Sequence, residues 1–117
     1  VTGEASLATG DDLRRIALSL EGTSEAPHFD RIAFRVARTF ATLAADRQSA
    51  NLKFPPEEQE FKCLLAPEAF APLAGGWGRR GWTLARLAAL EEAELRAALE
   101  IAWRGAQPTK RKKRGPA

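Results

Sequence analysis

Apolar residues recur along the chain with two different periods. Leu13, Ile16, Ala17 and Leu20 follow one another at spacings of three and four, which places them on one face of an α-helix. Thr9 can cap that helix, Asp11 and Asp12 fall in its first turn where the dipole favours negative charge, and Gly22 stops it. Over Arg31 to Val36 the period drops to two, because Ile32, Phe34 and Val36 alternate with polar or small residues as in a half-buried strand. Thr39 to Ala45 and Ser49 to Phe54 are strand-like in the same way, and Pro27 marks an extended entry to the first of the three.

The apolar faces of these runs predict a register, since a slip of one residue turns every side chain to the wrong side. A turn at Ala37-Arg38 pairs Phe34 with Ala41 and Ile32 with Leu43, and a turn at Arg47-Gln48 pairs Leu43 with Leu52 and Ala41 with Phe54. Ile32, Phe34, Val36, Leu43, Leu52 and Phe54 then share the buried side. The other side would carry Arg31, Arg35, Lys53, Phe40, Thr42 and Asn51 with small Ala33 and Ala44, Arg35 lying across from Phe40 and Thr42 across from Lys53.

Pro55 and Pro56 end the third strand and open a second helix, with Glu57, Glu58 and Glu60 near its positive end and Phe61, Leu64 and Leu65 as its expected buried stripe. Residues 67–73 are irregular, with room for a turn and a short strand, and Trp82-Thr83-Leu84 is strand-like. The last helix is the clearest: Leu95, Ala98, Leu99, Ala102 and Trp103 form one face, with Glu91, Glu92 and Glu94 at the start and Arg104 and Gly105 at the end. Consecutive strands flanked by helices give an α+β fold, an antiparallel β-sheet with helices packed on one face. Residues 9–107 form the expected domain, between a loose leader at 1–8 and a basic tail at 108–117.

Composition narrows the function classes. The chain has 117 residues, 44% of them hydrophobic and 28% charged, as in an ordinary soluble domain. It holds no apolar run near the roughly eighteen residues of a membrane span and no signal-peptide pattern, so a cytoplasmic location is expected. One cysteine, Cys63, and one histidine, His28, leave no internal disulfide and no Cys/His metal set, and no cofactor is expected. The net charge of +3 is uneven: Lys110, Arg111, Lys112, Lys113 and Arg114 lie in the tail, so residues 1–109 carry thirteen bases against fifteen acids, a net of −2. A basic run of this kind is either an arm for polyanions or a solubilising tail.

Gly76-Trp77-Gly78-Arg79-Arg80-Gly81 matches the dinucleotide pattern G-x-G-x-x-G. That loop must follow a strand and open a helix so that the helix N-terminus meets the pyrophosphate, whereas here a strand follows. The segment is then either a binding loop, in which Arg79 and Arg80 offer donors between stacking rings, or a structural turn anchored by Trp77 and Trp82. No Ser, Cys or carboxylate stands in a motif that would make His28 a general base beside a nucleophile, and no catalytic residue is expected.

Three segments together carry a resemblance: Leu13-Arg14-Arg15-Ile16-Ala17-Leu18-Ser19-Leu20-Glu21-Gly22, Ala26-Pro27-His28-Phe29, and Gly76 to Thr83 with the closing Ala102-Trp103. Over about residues 9–107 the chain resembles the MmcQ/YjbR family of small bacterial proteins. The resemblance implies a fold like that of CyaY, the bacterial frataxin, and a DNA-binding label that rests on a proposed double wing of hairpins. No catalytic residue is carried over with it.

Two classes of function follow. A non-enzymatic nucleic-acid module would use Arg31, Arg35, Arg38, Arg47 and Lys53 on the hairpins, Arg79 and Arg80 in the glycine loop, and Lys110, Arg111, Lys112, Lys113 and Arg114 as a non-specific arm to DNA or another polyanion. A small-ligand or protein-interaction domain would instead have a pocket near His28, Trp77 and Trp82.

Overall fold

The structure is a computed structural model that describes residues 7–108. Its elements run α1 (Gly10–Ser19), β1 (Ser24–His28), β2 (Arg31–Arg35), β3 (Thr39–Leu43), β4 (Ser49–Lys53), α2 (Pro56–Leu65), β5 (Phe70–Pro72), α3 (Gly75–Arg79), β6 (Trp82–Arg86), a 3-10 turn (Leu87–Ala89) and α4 (Glu92–Gly105). The strands form one six-stranded antiparallel sheet in the order β1-β2-β3-β4-β6-β5. This is the expected α+β class.

The capping signals act as the sequence predicts. Thr9 Oγ1 accepts from the Asp12 N–H while the Asp12 carboxylate accepts from the Thr9 N–H, so two donors left over at the helix start are satisfied reciprocally. α1 and α4 pack together on one face of the sheet. Between them lie Leu13, Ile16, Phe34, Leu43, Leu52, Leu95 and Leu99, all fully buried. Phe34 is buried and Arg35 exposed, as the alternation requires, while Ile32 and Val36 are partly buried against the same core.

Five expectations need correction. β1 is a strand that the sequence pattern does not show; all five of its residues are exposed, so no alternation marks it. The leader ends earlier than residue 8, because Leu7 bridges Glu91 and the Ala8 N–H donates to the Leu90 carbonyl.

The β2–β3 pairing of Ile32 with Leu43 and Phe34 with Ala41 is as predicted, but the next pair is Arg35 with Thr39. Phe40 is the extra residue of that bulge and is buried in the core instead of facing Arg35.

In the β3–β4 hairpin Leu43 pairs with Ala50, Thr42 with Asn51 and Ala41 with Leu52. This lies two residues from the predicted register, an even slip that leaves each side chain on its face. The turn is set at Asp46, whose carboxylate accepts from the Gln48 N–H, and at Arg47, which takes φ +60°. An Asp side chain can fold such a turn without glycine.

The fifth correction concerns α2. Phe61, Leu64 and Leu65 are 58%, 77% and 66% exposed. The helix lies beside the edge strand β5, since α1 and α4 already cover the core face. Its half-buried residues are Glu58, Gln59, Lys62 and Cys63, continued by Ala66. Lys62 Nζ stands 5.7 Å from the centroids of both Phe54 and Phe70.

Candidate functional site

The sheet face away from α1 and α4 carries the chemistry. A row of paired residues crosses it from Ala33 through Thr42 and Asn51 to Leu84. One flank holds the pair His28 and Arg31, the other the pair Lys53 and Trp82. Arg31 is fixed against the sheet, its Nε donating to Thr42 Oγ1 at 2.8 Å and its Nη2 to the Thr42 carbonyl at 3.4 Å.

The glycine segment overhangs this face. Glycine is required at Gly78, where a Cβ would lie 1.8 Å from the Leu73 carbonyl oxygen, and at Gly81, where φ is +107° and a Cβ would lie 1.9 Å from the Phe54 carbonyl oxygen. These glycines admit the protein's own backbone, not a pyrophosphate. The segment forms the short α3 and then β6, and Gln59 Nε2 ties it to α2 by donating to the carbonyls of Gly78 and Trp82.

The two tryptophans differ. Trp82 is half-buried within β6, whereas Trp77 is 61% exposed and does not anchor the segment on the core. The Arg80 guanidinium lies over the Trp77 ring, 5.8 Å from its centroid, within cation–π range.

Both rings line two adjoining concavities. One, of about 210 Å³, is bounded by His28, Arg31, Thr42, Asn51, Leu73, Trp77 and Trp82. The second, of about 240 Å³, adds Arg38, Thr39, Lys53 and Arg80 and the end of α4 at Gly105 and Ala106. His28, distant from the glycine segment in sequence, is therefore brought together with Trp77 and Trp82. No carboxylate lines either concavity.

The ion pairs sort the remaining bases. Arg14 pairs with Glu25, Arg15 with Asp12 and Glu92, Arg47 with Asp11, Arg96 with Glu92, and Arg104 with Glu100. Among the described residues, Arg31, Arg35, Arg38, Lys53, Lys62, Arg79, Arg80 and Arg86 form no ion pair, Lys62 lying on α2 and Arg86 donating to the Glu68 carbonyl. Arg47 thus stands apart from the other sequence candidates, on the hairpin beside α1. Arg35 and Arg79 are exposed but line neither concavity, and Arg35 donates to the Ala37 carbonyl. Arg38 donates to the carbonyls of Gly105 and Gln107 at the end of α4, a place where a cation also meets the negative end of the helix dipole. Lys110, Arg111, Lys112, Lys113 and Arg114 lie outside the described residues.

Thr39, Thr42, Asn51 and Leu73 also line the site, and no motif in the sequence marks them as ligand contacts. The alternation had put Thr42 and Asn51 on the open face, but their grouping with Leu73 depends on α3. Burial pushes the Cys63 thiol above its ordinary pKa, the reverse of what a nucleophile needs. Among the described residues no group of three or more His, Cys, Asp or Glu is placed to hold a metal, and no helix is long and apolar enough to cross a membrane.

The family model named YjbR matches residues 18–105. The chain belongs to the YjbR family. Among solved structures, the YjbR fold seen here is similar to Deinococcus radiodurans protein DR2400, which carries the family-model domain DUF419. The TM-score is 0.70 at 24% identity, over 82% of this chain and 76% of that one, a likeness of fold. No curated protein matches the chain.

Proposed function

We propose that this YjbR domain is a non-enzymatic nucleic-acid-binding module whose binding surface is the open face of the sheet. One observation carries the proposal: Arg31, Arg38, Lys53 and Arg80 stand around two exposed concavities that no carboxylate lines, while the domain as a whole carries more acids than bases. Cations held clear of counter-charges neutralise phosphates and release condensed counterions, which supplies most of non-specific affinity. Trp77 adds an aromatic surface on which a base can stack whatever its sequence. The basic run Lys110 to Arg114 acts in this proposal as a non-specific arm.

The competing proposal is a small-ligand pocket around His28, Trp77 and Trp82, favoured by the concavity those residues share. Its volume of about 210 Å³ falls below the roughly 300–1,000 Å³ of ordinary small-molecule sites, so the nucleic-acid reading ranks first.

The test is a salt titration of binding to DNA, RNA and heparin with the full chain, with Lys53→Ala and Arg80→Ala, and with the chain lacking residues 109–117. Each phosphate contact removed should flatten the slope of log K against log salt by about 0.9 on duplex DNA. Absence of binding at low salt removes the proposal. Unchanged affinity after the truncation removes the arm and leaves the sheet face.

A further inference from the structure

We infer that the 210 Å³ concavity is a subsite for one unpaired base, which makes the ligand single-stranded nucleic acid. The inference rests on the proposed function and specifies the chemical class of its ligand.

The walls have the composition a base requires. Trp77 and Trp82 supply aromatic surface, and Leu73 supplies an apolar edge. Asn51 and Thr42 project from the floor between them. The Asn51 amide makes no hydrogen bond among the described residues, so a carbonyl acceptor and two N–H donors are available to the polar edge of a ring. The volume suits one planar ring system and not a ligand of the usual size.

The surroundings have the composition a sugar-phosphate chain requires. The second concavity shares Trp77 and Trp82 with the first and brings Lys53 and Arg80 to their other side. A strand crossing the tryptophans would thus leave its base on one side and its flanking phosphates on the other. A base inside a duplex is paired and stacked, and extruding it costs a few kcal/mol. Unpaired strand meets no such cost.

Phe29 stands at the same end as His28. It occupies the β1–β2 hairpin tip, is 93% exposed, takes φ +59° and meets His28 edge to face with ring centroids 4.9 Å apart. A bulky residue rarely adopts this backbone, and such outliers cluster where a group must be presented to a ligand. Phe29 offers a second ring for a neighbouring base.

The experiment compares four ten-residue probes on the full chain in one buffer: an oligothymidylate, an oligouridylate, an abasic strand of equal phosphate number and the duplex of the first. The basic tail meets nearly the same charge in the three single strands, so their differences report the bases. The two base-bearing strands should bind roughly five- to a hundredfold more tightly than the abasic strand, the range that stacked bases give on aromatic side chains. That advantage should shrink in Trp77→Ala and Asn51→Ala. The two base-bearing strands differ in the 2′-hydroxyl and in the thymine methyl, so an oligodeoxyuridylate in the same buffer assigns any preference to the sugar or to the base.

Equal affinity for thymidylate and abasic strands, or tighter binding of the duplex, overturns the base subsite while leaving the polyanion surface in place. Binding of none of the probes at low salt overturns the surface, and the subsite with it.

Discussion

The Arg80 guanidinium covers one side of the Trp77 ring, at 5.8 Å from its centroid. A ring so exposed, with a cation on one side, keeps its other side for a ligand. The pair therefore works as a unit: the arginine orients the indole, adds positive charge beside it and loses nothing to a competing carboxylate.

The two tryptophans should then respond in opposite ways to truncation. Trp77→Ala removes a mostly exposed ring and should change stability by less than about 0.5–1 kcal/mol while weakening nucleic-acid binding. Trp82→Ala removes a half-buried ring from a paired strand, and should cost about 1.5–3 kcal/mol, below the roughly 3–5 kcal/mol of a fully buried aromatic. Thermal unfolding and binding measured on both variants distinguish the roles. A Trp77→Ala protein as unstable as Trp82→Ala would show the exposed ring to be an anchor.

The glycines of the same segment should behave as structural residues. A methyl group at Gly78 or Gly81 would meet a backbone carbonyl within 2 Å, and backbone cannot swing aside as a flexible side chain can. Gly78→Ala and Gly81→Ala should each cost at least about 1–3 kcal/mol, a fall in Tm of at least several degrees for a domain of this size. Gly76→Ala is the control, since only the far end of the Arg79 side chain comes within 4 Å of its added Cβ. Equal Tm values for all three would remove the requirement.

What was legible in the sequence follows from where each signal acts. Alternation reported the buried face of β2, β3 and β4, and the caps reported α1 and α4, because both are local. The extra residue at Phe40 is hidden, since a bulge is a relation between two strands and its mark in one chain is only the adjacent apolar pair Phe40-Ala41. The β3–β4 register differs by two from the one the apolar faces predict, because alternation is blind to an even slip and the turn built at Asp46 and Arg47 decides it. The site was half visible. Alternation gave its basic floor, and the glycine segment gave its tryptophans, but only the fold brings Asn51 and Trp77 to one concavity.

Acid should weaken one link between α1 and the first hairpin. Arg14 Nε and Nη2 donate to the two carboxylate oxygens of Glu25, both at 2.8 Å, and these hydrogen bonds hold the Glu25 pKa below its ordinary 4.5. A carboxyl whose pKa is lowered on folding contributes stability above its unfolded pKa and loses it as pH falls through the folded value. The stability difference between the native chain and Glu25→Gln should therefore be constant near neutral pH and shrink as pH falls below about 4.5. Both side chains are substantially solvent-accessible, so the difference should be small and reduced by salt. Denaturant midpoints at pH 7 and pH 3 check it, and an equal or larger difference at pH 3 would contradict the pairing.

The second helix separates a pattern from its consequence. Phe61, Leu64 and Leu65 have helical spacing, and as a core stripe each would cost roughly 2–5 kcal/mol on replacement by alanine. In the fold they face solvent, while the face turned to the protein is Gln59, Lys62, Cys63 and Ala66. Leu64→Gln and Leu65→Gln should thus leave stability within about 0.5 kcal/mol of the native chain. Gln59→Ala should have the larger effect, because it removes two hydrogen bonds, to the carbonyls of Gly78 and Trp82, at about 0.5–1.5 kcal/mol each, although the Gly81 and Leu73 N–H groups still donate to those carbonyls. A helix that packed through its leucines would reverse this order, so denaturant midpoints for the three variants decide which face of α2 carries its contacts.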